Sequence, residues 1–347
     1  MSSTILRTGA LVALTASAIA FAQSGAITAD ELMGDGNAGV VATPEVLSVE
    51  DWNFAQFPGQ VIRTRHFRVF TTESDTVLRD RLASFSEYAL AHYRTAITPL
   101  PLPRTRLDTY LMDSRTQWET VTKRLMGQQA EQLVGIQRGG FAARGVGVYY
   151  DLGLYDTMAI AAHEGWHQYT QRAFKEQLPV YLEEGIAAYM EGHRWSHSLP
   201  RFKAWANTER FDQLRLAHSK GELAPLSELL QSRPQDYLGE TSDRILTFYA
   251  QLWALVHFLQ EGDEGAHRAS LALLLRDAAS GNLGKVMSDA YGERAARLAL
   301  AGRTGDEVFR LYFGEDLEAL AASYEAFIGR VVSTGSREAI AAGRSPL

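Results

Sequence analysis

The stretch AAHEGWHQYT, Ala161 to Thr170, places two histidines four residues apart with a glutamate directly after the first. On an α-helix, residues at that spacing share a face and stand about 6 Å apart along the axis, so His163 and His167 can offer both imidazoles to one metal ion. Glu164 is placed to take a proton from a water on that ion, as a general base in metal-assisted hydrolysis does. The competing reading is an ordinary helix with solvated histidines. Gly165 favours it slightly, since glycine costs about 1 kcal/mol in a helix interior.

Working outward, MAIAAHEGWHQYTQRAF is rich in helix formers, and Asp156 or Thr157 can cap the helix. Pro179, 12 residues after His167, suits the first turn of a second helix, LPVYLEEGIAAYMEG. A catalytic zinc site uses three protein ligands and keeps a position open, and a carboxylate is a normal third ligand. Glu184 has Ala187 and Ala188 one turn on, small side chains that let a neighbouring helix approach. Glu183 faces the bulkier Ile186 and is the poorer candidate.

The pairing of HEGWH with a following PVYLEEGIAAY resembles the gluzincin metallopeptidases, whose second helix has the form Pro-x-Trp-Leu-x-Glu-Gly-x-Ala-x-Tyr. More narrowly it is similar to a bacterial secreted gluzincin-like group described mostly as a domain of unknown function. The resemblance covers about Arg65 to Val332 and takes in the later FYAQLWALVHFL. It implies zinc held by His163, His167 and Glu184, Glu164 as the base, and a peptide or protein substrate. Tyr181 stands where the pattern has tryptophan. The interval from His167 to Glu184 is shorter than in the aminopeptidase branch, so that branch's substrate preference is not carried over.

At 347 residues and 46% hydrophobic, the chain can bury a large core. Its net charge of −7, without long basic runs, argues against nucleic-acid binding. No cysteine is present, which excludes thiolate metal sites and thiol nucleophiles; any metal must be held by His, Asp or Glu. Arg7, an apolar segment and Ala20-Phe21-Ala22 form a secretory signal over residues 1–22, with cleavage near Ala22-Gln23 and a secreted or periplasmic product. No later stretch is long and apolar enough to span a membrane.

Residues 23–60, rich in Gly, Ala, Asp and Pro, suit a linker or a loosely packed entry segment. Strands are expected at Val61–Thr72, Arg106–Asp113 and Gly145–Gly153, with Gly139 and Gly140 forming a turn before the third. A helix capped by Ser74 or Asp75 follows the first strand, and one closed by Gly127 follows the second. The fold class is α+β: a zincin-like half over 61–200, with a small mixed sheet and the metal helix, then a mainly helical half over 201–332 and a tail over 333–347.

Other polar residues compete for attention. His193 and His197 are also four apart, but no acid follows the first and Pro200 limits any helix, so surface residues are the simpler reading than a second metal site. Tyr249 can donate to the oxyanion formed when water attacks a carbonyl, with a core position as the alternative; Tyr189 is a weaker candidate for that role. The Gly145–Tyr150 strand either receives an extended peptide along its edge or lies inside the sheet. Two other functions stay open: a zinc amidase acting on cell-wall peptides, and a non-catalytic binding protein with a vestigial site.

Overall fold

The computed structural model describes residues 44–136, 139–237 and 242–347; the segment assigned to the secretory signal lies outside them. Its first element is a hairpin, Ser48–Phe54 (β1) with Phe57–Arg63 (β2), turning at Ala55, whose φ of 54° is left-handed. The reading of 23–60 as a linker is therefore corrected from Ser48 onward. Phe67–Thr71 (β3) pairs antiparallel with β2, so Val61–Thr72 is two strands and not one. Arg65 and His66 make a tight reversal without glycine or proline, and a two-residue turn leaves the alternation of apolar and polar residues in phase.

Thr76–Tyr93 (α1) follows, with the Asp75 carboxylate accepting from the amides of Val77 and Leu78 as an N-cap. It leads to Leu107–Met112 (β4), parallel to β3, and then to Arg115–Met126 (α2), capped by the Ser114 hydroxyl and ended at Gly127 with φ 55°. A short helix, Ala130–Val134 (α3), precedes Gly140–Ala143 (β5) and Val146–Tyr150 (β6). Gly140 thus begins a strand, and the reversal falls on Arg144-Gly145, both at positive φ. Four residues, Gly-Phe-Ala-Ala, are too few and too uniformly buried for alternation to reveal β5. The sheet order is β1-β2-β3-β4-β6-β5, with β3, β4 and β6 parallel.

Strand alternation divides the apolar residues between two faces. Leu107 and Leu111 of β4 join the large core with α1, whereas Met112 joins a smaller cluster beneath α2 and α3 around Trp118 and Phe141. The large core also receives Leu154–Ala173 (α4) and Val180–Met190 (α5). A two-stranded hairpin follows, His193–Ser196 (β7) with Leu199–Phe202 (β8).

The rest is helical: Thr208–Lys220 (α6), Leu226–Gln231 (α7), Ser242–Glu261 (α8), Arg268–Ser280 (α9), Leu283–Tyr291 (α10), Glu293–Gly302 (α11), Glu307–Phe313 (α12), Leu317–Val331 (α13) and Ser336–Ala341 (α14). The architecture is α+β, with the mixed sheet in the N-terminal half. α8 is apolar around most of its circumference and forms the axis of the helical half, as expected of a helix buried on all sides. The segment 333–347 is more than a tail, because Ile340 of α14 is buried and Arg337 pairs with Asp212 of α6 at 2.8 Å. One hydrophobic cluster runs from Ile62 to Ile340, so the sheet half and the helical half share a core. Among the described residues no helix is long and apolar enough to cross a membrane.

Candidate metal centre

α4 leaves β6 through Gly153, whose φ of 91° turns the chain onto the sheet. The expected caps lie one turn further in: Asp156 is in the first turn, and the Thr157 hydroxyl accepts from the Leu152 amide at 2.9 Å. Gly165 has a packing reason. The Tyr93 hydroxyl of α1 donates to the Ala162 carbonyl at 2.7 Å, and a Cβ at position 165 would lie 2.6 Å from that hydroxyl. The glycine that counted for an ordinary helix thus admits the tyrosine that fixes α4 against α1.

α5 starts at Pro179 and packs across α8 at close range, where a Cβ at Gly185 would meet the Leu252 carbonyl at 2.8 Å. That approach brings Glu184 beneath α4. Its Oε2 lies 3.5 Å from Nε2 of His163 and 3.5 Å from Nε2 of His167. These three atoms have no hydrogen-bond partner although their residues are 1–2 % exposed. Buried polar atoms are rarely left so. Their spacing suits a shared ion, since ligand atoms about 2.1 Å from a tetrahedral centre stand about 3.4 Å apart. Two imidazoles and a carboxylate are a donor set that zinc accepts, so the residues fit the metal. Among the described residues, these three form the group able to hold an ion.

The other imidazole nitrogens are held from outside. Nδ1 of His163 bonds the Glu191 carboxylate at 2.7 Å, and Nδ1 of His167 bonds Glu183 at 3.0 Å. Carboxylates in those positions fix the tautomer that turns each Nε2 lone pair toward the shared point. Glu183 also accepts from the Thr170 hydroxyl at 2.7 Å. Glu191 receives Arg210 at 2.7 and 3.1 Å and the Asn207 amide at 2.7 Å, both from the start of α6. From the sequence, Glu183 is weighed only as a poorer metal ligand, and Glu191, Asn207 and Arg210 carry no assignment. Glu191 had one usable signal, its position seven residues and nearly two turns after Glu184 on the same face.

Electrostatics follow this wiring. Burial raises the Glu184 carboxyl, but the two histidines overcome it and bring it down to about 2. Burial likewise opposes ionisation of Glu191, and Arg210 and His163 hold it at about 2. Burial lowers both imidazoles, yet Glu184 with Glu191 raises His163, and Glu184 with Glu183 raises His167.

Glu164 is 2 % exposed, and its charge acts on Tyr93, Tyr149 and Tyr249. Tyr249, on α8, stands with its ring 5.9 Å from that of His163 and beneath the Arg210 guanidinium at 5.2 Å. Burial, and then the Glu184 charge, push its phenol well above the ordinary value, so the hydroxyl keeps its proton. Tyr189 instead packs on the His257 ring at 4.7 Å. His193 and His197 are not on a helix: His193 is in β7, its Nδ1 against the Glu191 carbonyl at 2.8 Å, and His197 is in the hairpin turn. β6 is paired on both sides, by β4 and β5, so it has no edge to offer a peptide.

The fold and site define an α+β protein whose central helix and its neighbour present a buried His163–His167–Glu184 group able to hold a metal ion. A family described as protein of unknown function DUF1570 matches residues 157–278, from the first turn of α4 into α9, which includes the three ligands, Glu164, Glu191, Arg210 and Tyr249. No curated protein matches the chain.

Proposed function

We propose that the chain is a zinc-dependent peptidase of the gluzincin kind, hydrolysing peptide bonds in proteins or peptides. The observation that carries this is the outside support of the ligands: each imidazole is turned by its own carboxylate so that both Nε2 atoms and Glu184 Oε2 converge. His163, His167 and Glu184 would hold the ion, which when bound supplies a Lewis-acid charge and makes water acidic enough to be activated near neutral pH. Glu164 takes the proton from the attacking water and delivers it to the leaving amine. Tyr249, which retains its proton, donates to the developing oxyanion. Burial in a largely apolar interior strengthens each of these interactions. The reading extends to use outside the cytoplasm, on the strength of residues 1–22.

A second reading has one observation in its favour: the ligands and Glu164 are all only 1–2 % exposed, as in a closed structural site. A broad peptide library incubated with the zinc-loaded chain decides between them. Cleavage by the wild type that disappears with chelator and with Glu164→Gln supports the peptidase; zinc retained at one per chain with no cleavage supports the closed site.

A further inference from the structure

Two short Arg-x-Arg segments, Arg63-Thr64-Arg65 and Arg104-Thr105-Arg106, are far apart in the sequence of a chain whose net charge is −7. The parallel pairing of β3 with β4 sets them side by side. The Leu107 amide bonds the His66 carbonyl at 2.8 Å, and Arg106 Nε bonds the Thr64 carbonyl at 3.0 Å. Their four arginines, with Arg68 and His66, line an open depression of about 640 Å³ whose lining includes no acidic residue.

The arginines are not equally answered. Arg68 makes a two-point pair with Asp108 at 2.7 and 2.5 Å, and Arg63 pairs with Glu50 at 3.0 Å. Glu87 is used by the Thr64 hydroxyl and by His66. Arg65 and Arg104 are exposed, and among the described residues neither makes an ion pair or a hydrogen bond. Exposed like charges crowded within a Debye length repel, and an anion between them relieves that repulsion.

We infer that this depression is a binding site for a phosphate-ester group. A phosphate has enough free oxygens to accept from two forks at once, which is what Arg65 and Arg104 together require. The clustering of arginine without a single lysine points the same way, because the planar fork recognises phosphate in two-point geometry. Pro103 is the one apolar residue of the lining, so the ligand is recognised by charge and not by burial of apolar surface. This site is independent of the proposed peptidase activity.

The test titrates the full chain with sn-glycerol 3-phosphate by calorimetry and, separately, sediments it with phosphatidylglycerol or phosphatidylcholine vesicles. Wild type is expected to bind the phosphate ester, with Arg65→Ala/Arg104→Ala weakening it at least about tenfold for two lost charge-assisted contacts. Arg294→Ala/Arg297→Ala, which removes two exposed charges from α11, leaves it unchanged. Binding to glycerol phosphate alone makes the source a soluble phosphate ester; binding to phosphatidylglycerol vesicles as well, with the same variant dependence, makes it a lipid headgroup. Equal loss in the two double variants, or no binding to either probe, overturns the assignment. Melting curves of the double variants confirm that each is folded.

Discussion

In the proposed mechanism, replacing Glu164 by glutamine removes a base but no ligand, whereas Glu184→Gln removes a ligand but no base. Glu164→Gln is therefore expected to keep its zinc and to lose about 10²-fold or more in peptide cleavage, and Glu184→Gln to lose zinc affinity itself. Metal content and turnover measured on both variants separate the roles; wild-type turnover by Glu164→Gln sinks the mechanism. Arg210 makes a different prediction. It faces Glu191 inside the protein, and truncating one member of a buried pair strands the other's charge, so Arg210→Met is expected to cost about 3–5 kcal/mol in urea unfolding. Adding Glu191→Gln should recover part of that loss; a double variant no more stable than Arg210→Met argues against the pairing. The pH dependence also belongs to residues. His163 and His167 are raised from 6.5 in the metal-free protein, so protons compete with the ion, and zinc affinity weakens as pH falls through those raised values. For the metal-free fold the signs are opposed. The imidazolium contribution is full below 6.5 and is lost as pH rises through the raised values, while the Glu184 contribution is lost as pH falls from 4.5 toward 2. Competition against a chelator of known affinity, followed from neutral pH downward, checks this, and a zinc affinity that does not weaken with falling pH contradicts it.

Between elements, the contact of α1 with α4 reverses an ordinary expectation. Glycine to alanine in a helix interior normally stabilises by about 1 kcal/mol. At Gly165 the new methyl meets the Tyr93 hydroxyl at 2.6 Å, so Gly165→Ala is expected to destabilise by about 1–3 kcal/mol, as overpacking does. Tyr93→Phe in the same chain should return part of it, because the next ring atom is 3.4 Å away. Denaturant midpoints for the two single variants and the double close the cycle; a stabilised Gly165→Ala would contradict the packing. α4, α5 and α8 were legible because each carries many residues of one periodicity. The β1–β2 hairpin, β5 and α14 were not. Four to seven residues give too little periodicity, and Ala55 and Arg65-His66 make turns without glycine or proline to mark them.

For the whole molecule, an ion held between α4 and α5 would bind only when both helices are packed, and so would stabilise the entire shared core. At a thousandfold excess over its dissociation constant that amounts to about 4 kcal/mol, and chelator should lower the melting temperature by several degrees. His163→Ala/His167→Ala should melt low and ignore chelator; a wild type equally indifferent argues that no ion is bound. By itself the sequence determined the identities and local spacing of His163, Glu164 and His167, the helix that presents them, Glu184 on the next helix, and the division into a sheet half and a helical half. Those follow from geometry within one helix, where 1.5 Å per residue fixes which side chains share a face. Only the tertiary structure decided that Glu183 and Glu191 turn the imidazoles, that Asn207 and Arg210 hold Glu191, and that two arginine pairs meet at β3 and β4. Those contacts join residues 16 to 28 positions apart in the first case and about 40 in the last. What sets them is how closely α5 can approach α8 at Gly185 and α4 can approach α1 at Gly165, which depends on side-chain volumes scattered along the chain and carries no periodic signal.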